Sequence, residues 1–278
     1  MLLVCLFFSI PFSGCSTLEN HFIYSPAVYP DGWNEIDNEE IEQAWFFADD
    51  GAALHGLFVE QPQAKAVLLF AHGRVGNVTD NMDTLLKFSD RHRISIMTFD
   101  YRGYGRSEGS PNEQAIYLDA RAARRWLAER SHVPEKEIIV MGHSLGAAVA
   151  IELATDGAKG LIVESGFSSL PKLVRRYAPI LPTRLILKSD FDSINKIKTY
   201  PGPTLIAHGT SDRIIPIKHG LQLFEAAGSP KRFIKIEGGE HISTPTRDYQ
   251  RAIDEFIEAT NDPDSMADSS MLVTGNEN

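Results

Sequence analysis

Three features of the sequence predict an α/β fold, a mostly parallel sheet of about eight strands flanked by helices. Short apolar, β-branched runs alternate with amphipathic segments along most of the chain, the pattern of a parallel sheet covered on both faces. Several of those runs end in polar, glycine-containing loops, and binding groups in such folds sit at the carboxyl ends of strands. The pentapeptide Gly142-His143-Ser144-Leu145-Gly146 lies between a strand pattern and a helix pattern.

The size and charge of the chain bound the reading. The 278 residues, 43% of them hydrophobic, suffice for one large core. A net charge of −10 repels phosphate backbones and argues against a nucleic-acid partner. The two cysteines, Cys5 and Cys15, both precede the body, which therefore has no disulfide and no thiolate metal site. No internal repeat is visible.

Taken in order, residues 15–43 read as a Pro-containing lead-in that wraps the domain, and the domain itself as residues 44–260. Residues 44–48 and 54–59 form a hairpin pattern, with Asp50-Gly51 supplying the positive φ of the turn. Residues 66–71 are a wholly apolar strand, followed by a helix from about Thr79 with Met82, Leu85 and Leu86 on one face. Residues 94–99 form the next strand. Ser110-Pro111-Asn112-Glu113 reads as a capping box opening a helix marked by Ile116, Ala120, Ala123, Trp126 and Leu127.

Residues 137–141 are the strand before Ser144, and residues 147–154 the helix after it. Residues 160–164 form the sixth strand. Residues 167–200 lack a strand pattern; Leu170, Leu173, Val174 and Tyr177 mark a short helix among prolines, a candidate cap between the sixth and seventh strands. Strands at 204–207 and 233–236 follow, with a helix between them to about Ala227. Tyr249, Ala252, Ile253, Phe256 and Ile257 then make a closing amphipathic stripe. Residues 261–278, acidic and free of Lys and Arg, read as a disordered tail.

The candidate chemistry starts at Ser144. A serine hydroxyl is a poor nucleophile until a base takes its proton and a carboxylate orients that base. Asp212 falls in the loop after one late strand and His241 in the loop after the next. The chain order Ser144, Asp212, His241 is one in which this constellation is assembled. Glu164, at the end of the sixth strand, is the competing acid. The backbone N–H groups of Arg74 and Leu145 are the expected oxyanion donors, one from an early loop and one from a helix start. Arg74, Tyr101 and Phe167 are candidate substrate contacts. His72, His143, His208 and His241 sit in four separate loops with no H-E-x-x-H pattern, so no metal site is expected.

The stretches LLFAHGRVGN, FDYRGYGRSEGSP, IVMGHSLGAAVA, LIAHGTSDRIIP and EGGEHI run in order across residues 66–241. Together they resemble the α/β-hydrolase superfamily, and more closely its small-capped branch of monoacylglycerol-lipase-like and depalmitoylase-like serine hydrolases. The resemblance implies Ser144, Asp212 and His241 as catalytic residues, an acyl-serine intermediate, a carboxylic ester or thioester substrate (acyl lipid or small acyl ester), and no cofactor. Arg74 departs from the small residue usual after His-Gly. An aminopeptidase-like hydrolase is the alternative within enzymes, and a non-catalytic binding lipoprotein the alternative outside them.

Residues 2–12 are apolar and too short to span a bilayer, which takes about 20 residues. With Phe12-Ser13-Gly14-Cys15-Ser16 they resemble a lipoprotein signal, residues 1–14, with Cys15 lipidated. That implies a membrane-anchored lipoprotein on the periplasmic side, and the serine after Cys15 points to the outer membrane. Phe12 and the lack of an early Lys or Arg depart from that pattern. Residues 166–188 carry Lys172, Arg175, Arg176, Arg184 and Lys188 and no acid, so the cap is expected to rest on anionic lipid or to hold an anionic substrate group.

Overall fold

The computed structural model describes residues 23–180, 182–183, 187–242 and 246–262, and the backbone of 271–275. The expected signal segment with Cys15, and the cap residues Leu181, Arg184, Leu185 and Ile186, lie outside the described residues. Among the described residues, no helix is long and apolar enough to cross a membrane.

Strands β1 (Ile41–Phe47), β2 (Ala53–Val59), β3 (Val67–Ala71), β4 (Ser95–Phe99), β5 (Ile138–His143), β6 (Gly160–Glu164), β7 (Thr204–Gly209), β8 (Lys231–Ile236) and β9 (Met271–Gly275) form one sheet. Its order is β9-β8-β7-β6-β5-β3-β4-β2-β1. β2 is antiparallel to both of its neighbours, and every other pair is parallel.

Helices α1 (Met82–His92), α2 (Glu113–Ser131), α3 (Leu145–Thr155), α4 (Leu170–Tyr177), α5 (Ser193–Lys196), α6 (Lys218–Ala226) and α7 (Arg247–Asn261) complete the layers. The core divides into two clusters. One takes Ile116, Ala120 and Leu127 of α2, nearly all of α3, and Leu223 of α6. The other takes Leu85 of α1 and the Tyr249, Ala252, Ile253, Phe256 and Ile257 stripe of α7. A helix buried along almost its whole surface needs the small apolar run that α3 has.

Two expectations change. The tail is not wholly irregular: Met271–Gly275 pairs in parallel with β8, making a ninth strand. The run Met-Leu-Val-Thr has strand character, and β8 would otherwise present an open edge. The cap of α2 is Asn112, whose side chain accepts from Ala115 N at 3.0 Å, rather than Ser110. Glu113 is thereby released to accept from the backbone N–H groups of Asp190 and Phe191, at 2.7 and 3.0 Å. It ties the segment after α4 to the body of the domain.

The sheet register sets the rim. Ala71 lies beside Gly142, His143 beside Glu164, Glu164 beside Ala207, and Gly209 beside Ile236. The loops that begin at His72, Ser144, Ser165, Thr210 and Glu237 therefore open on one edge of the sheet.

Candidate active site

The turn from β5 into α3 is tight. A methyl group on Gly142 would meet Gly146 O at 2.0 Å, and one on Gly146 would meet Ala71 O at 1.9 Å. Only glycine lets strand, helix and the neighbouring β3 backbone approach so closely. Ser144 itself has φ +58° and ψ −113°, a strained conformation for a residue with a Cβ. Its N–H donates to Glu164 O at 3.0 Å, which helps hold the turn.

The strained turn aims the Ser144 hydroxyl at the β8–α7 loop. Ser144 Oγ and His241 Nε2 are 3.0 Å apart, and His241 Nδ1 is 2.8 Å from Asp212 Oδ2. A carboxylate only accepts, so Nδ1 carries the proton and Nε2 offers its lone pair to the hydroxyl. Asp212 is anchored at its other oxygen, Oδ1, by the N–H groups of Ile214 and Ile215 at 2.9 and 2.8 Å. Burial alone would raise its pKa. Hydrogen bonds from His208, His241 and Ile215 N–H outweigh that and hold the carboxyl well below the usual range, so it is ionised at neutral pH.

Comparisons with known proteins agree with this architecture. Residues 68–192 match the model of the alpha/beta hydrolase family. Uncharacterized protein YfhR of Escherichia coli (strain K12) is 30% identical over 235 residues, 80% of each chain. Alpha/beta hydrolase domain-containing protein 17B of Homo sapiens is 32% identical over 212 residues, 75% of this chain and 72% of that one. This chain belongs to the alpha/beta hydrolase family. An uncharacterized protein of Mycobacterium tuberculosis (strain ATCC 25618 / H37Rv) is 40% identical over 149 residues, so the match spans about half of that relative, 53%.

Solved structures with the same fold include the Pyrococcus furiosus esterase Pf2001, with a TM-score of 0.68 and 19% identity over 85% of this chain and 97% of that one. Another is an acetyl xylan esterase from Paenibacillus sp. R4, at 0.66 and 20% over 89% and 92%.

The remaining candidates of this family member fall in different places. Glu164 is not bonded to His241; its carboxylate accepts from the Tyr249 hydroxyl, and loss of hydration pushes its pKa up to about 7. The loop at 72–74 lies against the Ser144 turn, since a methyl on Gly73 would come 3.8 Å from Ser144 Cβ. The Arg74 N–H makes no hydrogen bond among the described residues, whereas Arg74 O accepts from Ser25 N and the Tyr104 hydroxyl. Leu145 is the first residue of α3, where an N–H has no intrahelical acceptor.

Tyr101 and Phe167 need correction as substrate contacts. Tyr101 is fully buried, and its hydroxyl donates to His72 O at 2.7 Å, so it supports the loop from behind. Phe167 is buried against Phe191, both within the larger core cluster. An aromatic next to a strand end has two sides to fill, and here the core side wins.

Two histidines escaped the sequence reading as parts of this site. His208 Nε2 lies 3.5 Å from Asp212 Oδ2 while donating to Ile215 O at 2.7 Å. His143 Nε2–H donates to His241 O at 2.9 Å, tying the His241 loop to the strand that carries Ser144. Burial first, offset in part by that bond, leaves the His143 pKa at about 4, so the ring is a neutral donor. Their only sequence signal was position: one precedes Ser144 directly, the other is the next-to-last residue of β7, four residues before Asp212.

Proposed function

We propose that this chain cleaves a carboxylic ester or thioester through an acyl-Ser144 intermediate. The observation that carries the reading is the continuous path from Ser144 Oγ through His241 to Asp212, at 3.0 and 2.8 Å. His241 Nε2 takes the hydroxyl proton as Oγ attacks the carbonyl carbon, and the imidazolium is stabilised by ionised Asp212. The carbonyl oxygen becomes an oxyanion facing the N–H groups of Leu145 and Arg74. One such donor contributes about 10²–10³ in rate. His241 then protonates the leaving alcohol or thiol, and the acyl-enzyme forms. Water, deprotonated by His241, attacks the acyl carbon, and collapse of that second oxyanion returns the proton to Oγ and frees the acid.

Acyl lipids and small acyl esters are the favoured substrates. A fluorophosphonate probe should label the wild type and not Ser144→Ala, and a chain-length panel of p-nitrophenyl esters should be turned over only by the wild type. Labelling that survives in Ser144→Ala, or turnover of aminoacyl amides without esters, overturns this reading. We further propose that lipid on Cys15 holds the protein at a membrane; Cys15→Ala should then move it from the membrane fraction to the soluble one.

A further inference from the structure

Two segments that follow strand ends on the Ser144 rim, residues 165–180 and 213–224, carry no acids in a chain that has 37 acidic residues. They are joined at the rim. The Tyr177 hydroxyl, at the end of α4, donates to the carbonyls of Arg213 and Ile214 at 3.1 and 2.6 Å. Ile214 N–H in turn donates to Asp212, and Asp212 holds His241. This chain of contacts brings the exposed Tyr177 and Ile214 next to the site, while Ile242 directly follows His241 and Ile180 lies three residues beyond Tyr177. Tyr177 is 60% exposed, Ile180 95%, Ile214 54% and Ile242 85%.

Cations stand beside them. Lys172, Arg175 and Arg176 are exposed on α4, Arg213 on the loop bonded to Tyr177, and Lys218 at the start of α6. Lys218, Lys172 and Arg176 lie close enough to bear on the buried His219, whose pKa falls to about 4 through burial and then through their charge. Among the described residues none of these five cations has an ion-pair partner. Arg102, Arg121, Arg124, Arg125, Arg130 and Arg232 all do. Against the five, the adjoining His241 loop brings only Glu240, directly before His241, and Glu237, which is paired with Lys235.

We propose that this face, α4 together with the 213–218 loop and Ile242, seats the site mouth on an anionic lipid surface. Basic heads with apolar side chains between them match such an interface, where the cations meet headgroups and the apolar groups enter the acyl boundary. A purely acidic protein partner would satisfy the cations and leave Ile180 and Ile242 without a role. The docking stands apart from the chemistry at Ser144; its consequence, that acyl substrate enters from the lipid side, rests on the acyl-serine reading.

The test is sedimentation of the full chain with phosphatidylcholine vesicles, with and without phosphatidylglycerol. Turnover of soluble p-nitrophenyl acetate is measured in parallel, so that a failure of docking and a failure of the chemistry are distinguishable. The wild type should prefer the anionic vesicles, and less so at high salt. K172Q/R175Q/R176Q should lose that preference on the order of 100-fold, each cation being worth about a fivefold factor, with soluble-ester turnover unchanged. I180S should weaken binding on the order of tenfold. Equal binding of the wild type to both vesicles, or a triple variant that keeps its preference, overturns the proposal. So does I180S binding like the wild type, which would point to an acidic protein on this face.

Discussion

His208 Nε2 approaches Asp212 Oδ2 at 3.5 Å, the same carboxylate oxygen that faces His241 Nδ1 at 2.8 Å. Because Nε2 also donates to a carbonyl, that of Ile215, it must carry the proton. His208 is therefore a second ring against Asp212, its own orientation fixed by Ile215. With that proton given to Ile215 O, the 3.5 Å approach to the carboxylate is a secondary electrostatic contact worth about 1 kcal/mol. We expect His208→Phe to lower kcat about tenfold with little change in KM, and His208→Gln to recover part of it. Steady-state kinetics on a soluble ester decides it.

Asp212→Asn should be far more damaging. It cannot stabilise the imidazolium and favours the wrong tautomer, so kcat should drop by about 10⁴. Glu164→Gln, by contrast, removes a carboxylate bonded to Tyr249 rather than to His241, and should leave kcat within about tenfold. If the two variants exchanged behaviours, the acid would be misassigned.

Arg74 offers a separation of side chain from backbone. Its N–H is the proposed second oxyanion donor, and its side chain is exposed. Arg74→Ala should keep most activity. Arg74→Pro deletes the N–H and should lower kcat by about 10²–10³, with circular dichroism showing whether the fold is retained.

Gly142 and Gly146 should tolerate nothing larger. Their would-be methyl groups meet backbone at 2.0 and 1.9 Å, where no side chain can swing aside. Gly146→Ala should cost about 3 kcal/mol or more, read from the urea midpoint, or abolish soluble expression.

Acid should unfold the protein through its buried histidines as well as its carboxylates. In the folded chain burial first, then neighbouring charge, lowers the pKa values of His143 and His219 to about 4, below the ordinary histidine value of 6.5. The unfolded chain then binds more protons between those values, so stability falls as pH drops from about 6.5 to 4. Each histidine adds up to about 1.4 kcal/mol per pH unit to that slope. Asp212, its pKa held low, acts in a lower window: its contribution is present above the unfolded carboxylate pKa and fades as pH falls below it. Urea midpoints across this range should drop less steeply in His219→Gln.

The strand and helix pattern, the Gly-x-Ser-x-Gly turn and the chain order of Ser144, Asp212 and His241 were legible in the sequence. Each depends on local periodicity or on small residues that a tight turn demands, and such demands are written residue by residue. The tertiary structure alone decided which groups share a hydrogen bond across the sheet rim. It turned Glu164 to Tyr249, buried Tyr101 behind the His72 loop, brought His208 to Asp212 and His143 to His241, and set Arg213 and Ile214 against Tyr177 of the cap's basic helix. Apart from His208, four residues before Asp212, these outcomes depend on strand order and register, which juxtapose residues 29 to 98 positions apart and leave no local trace in the chain.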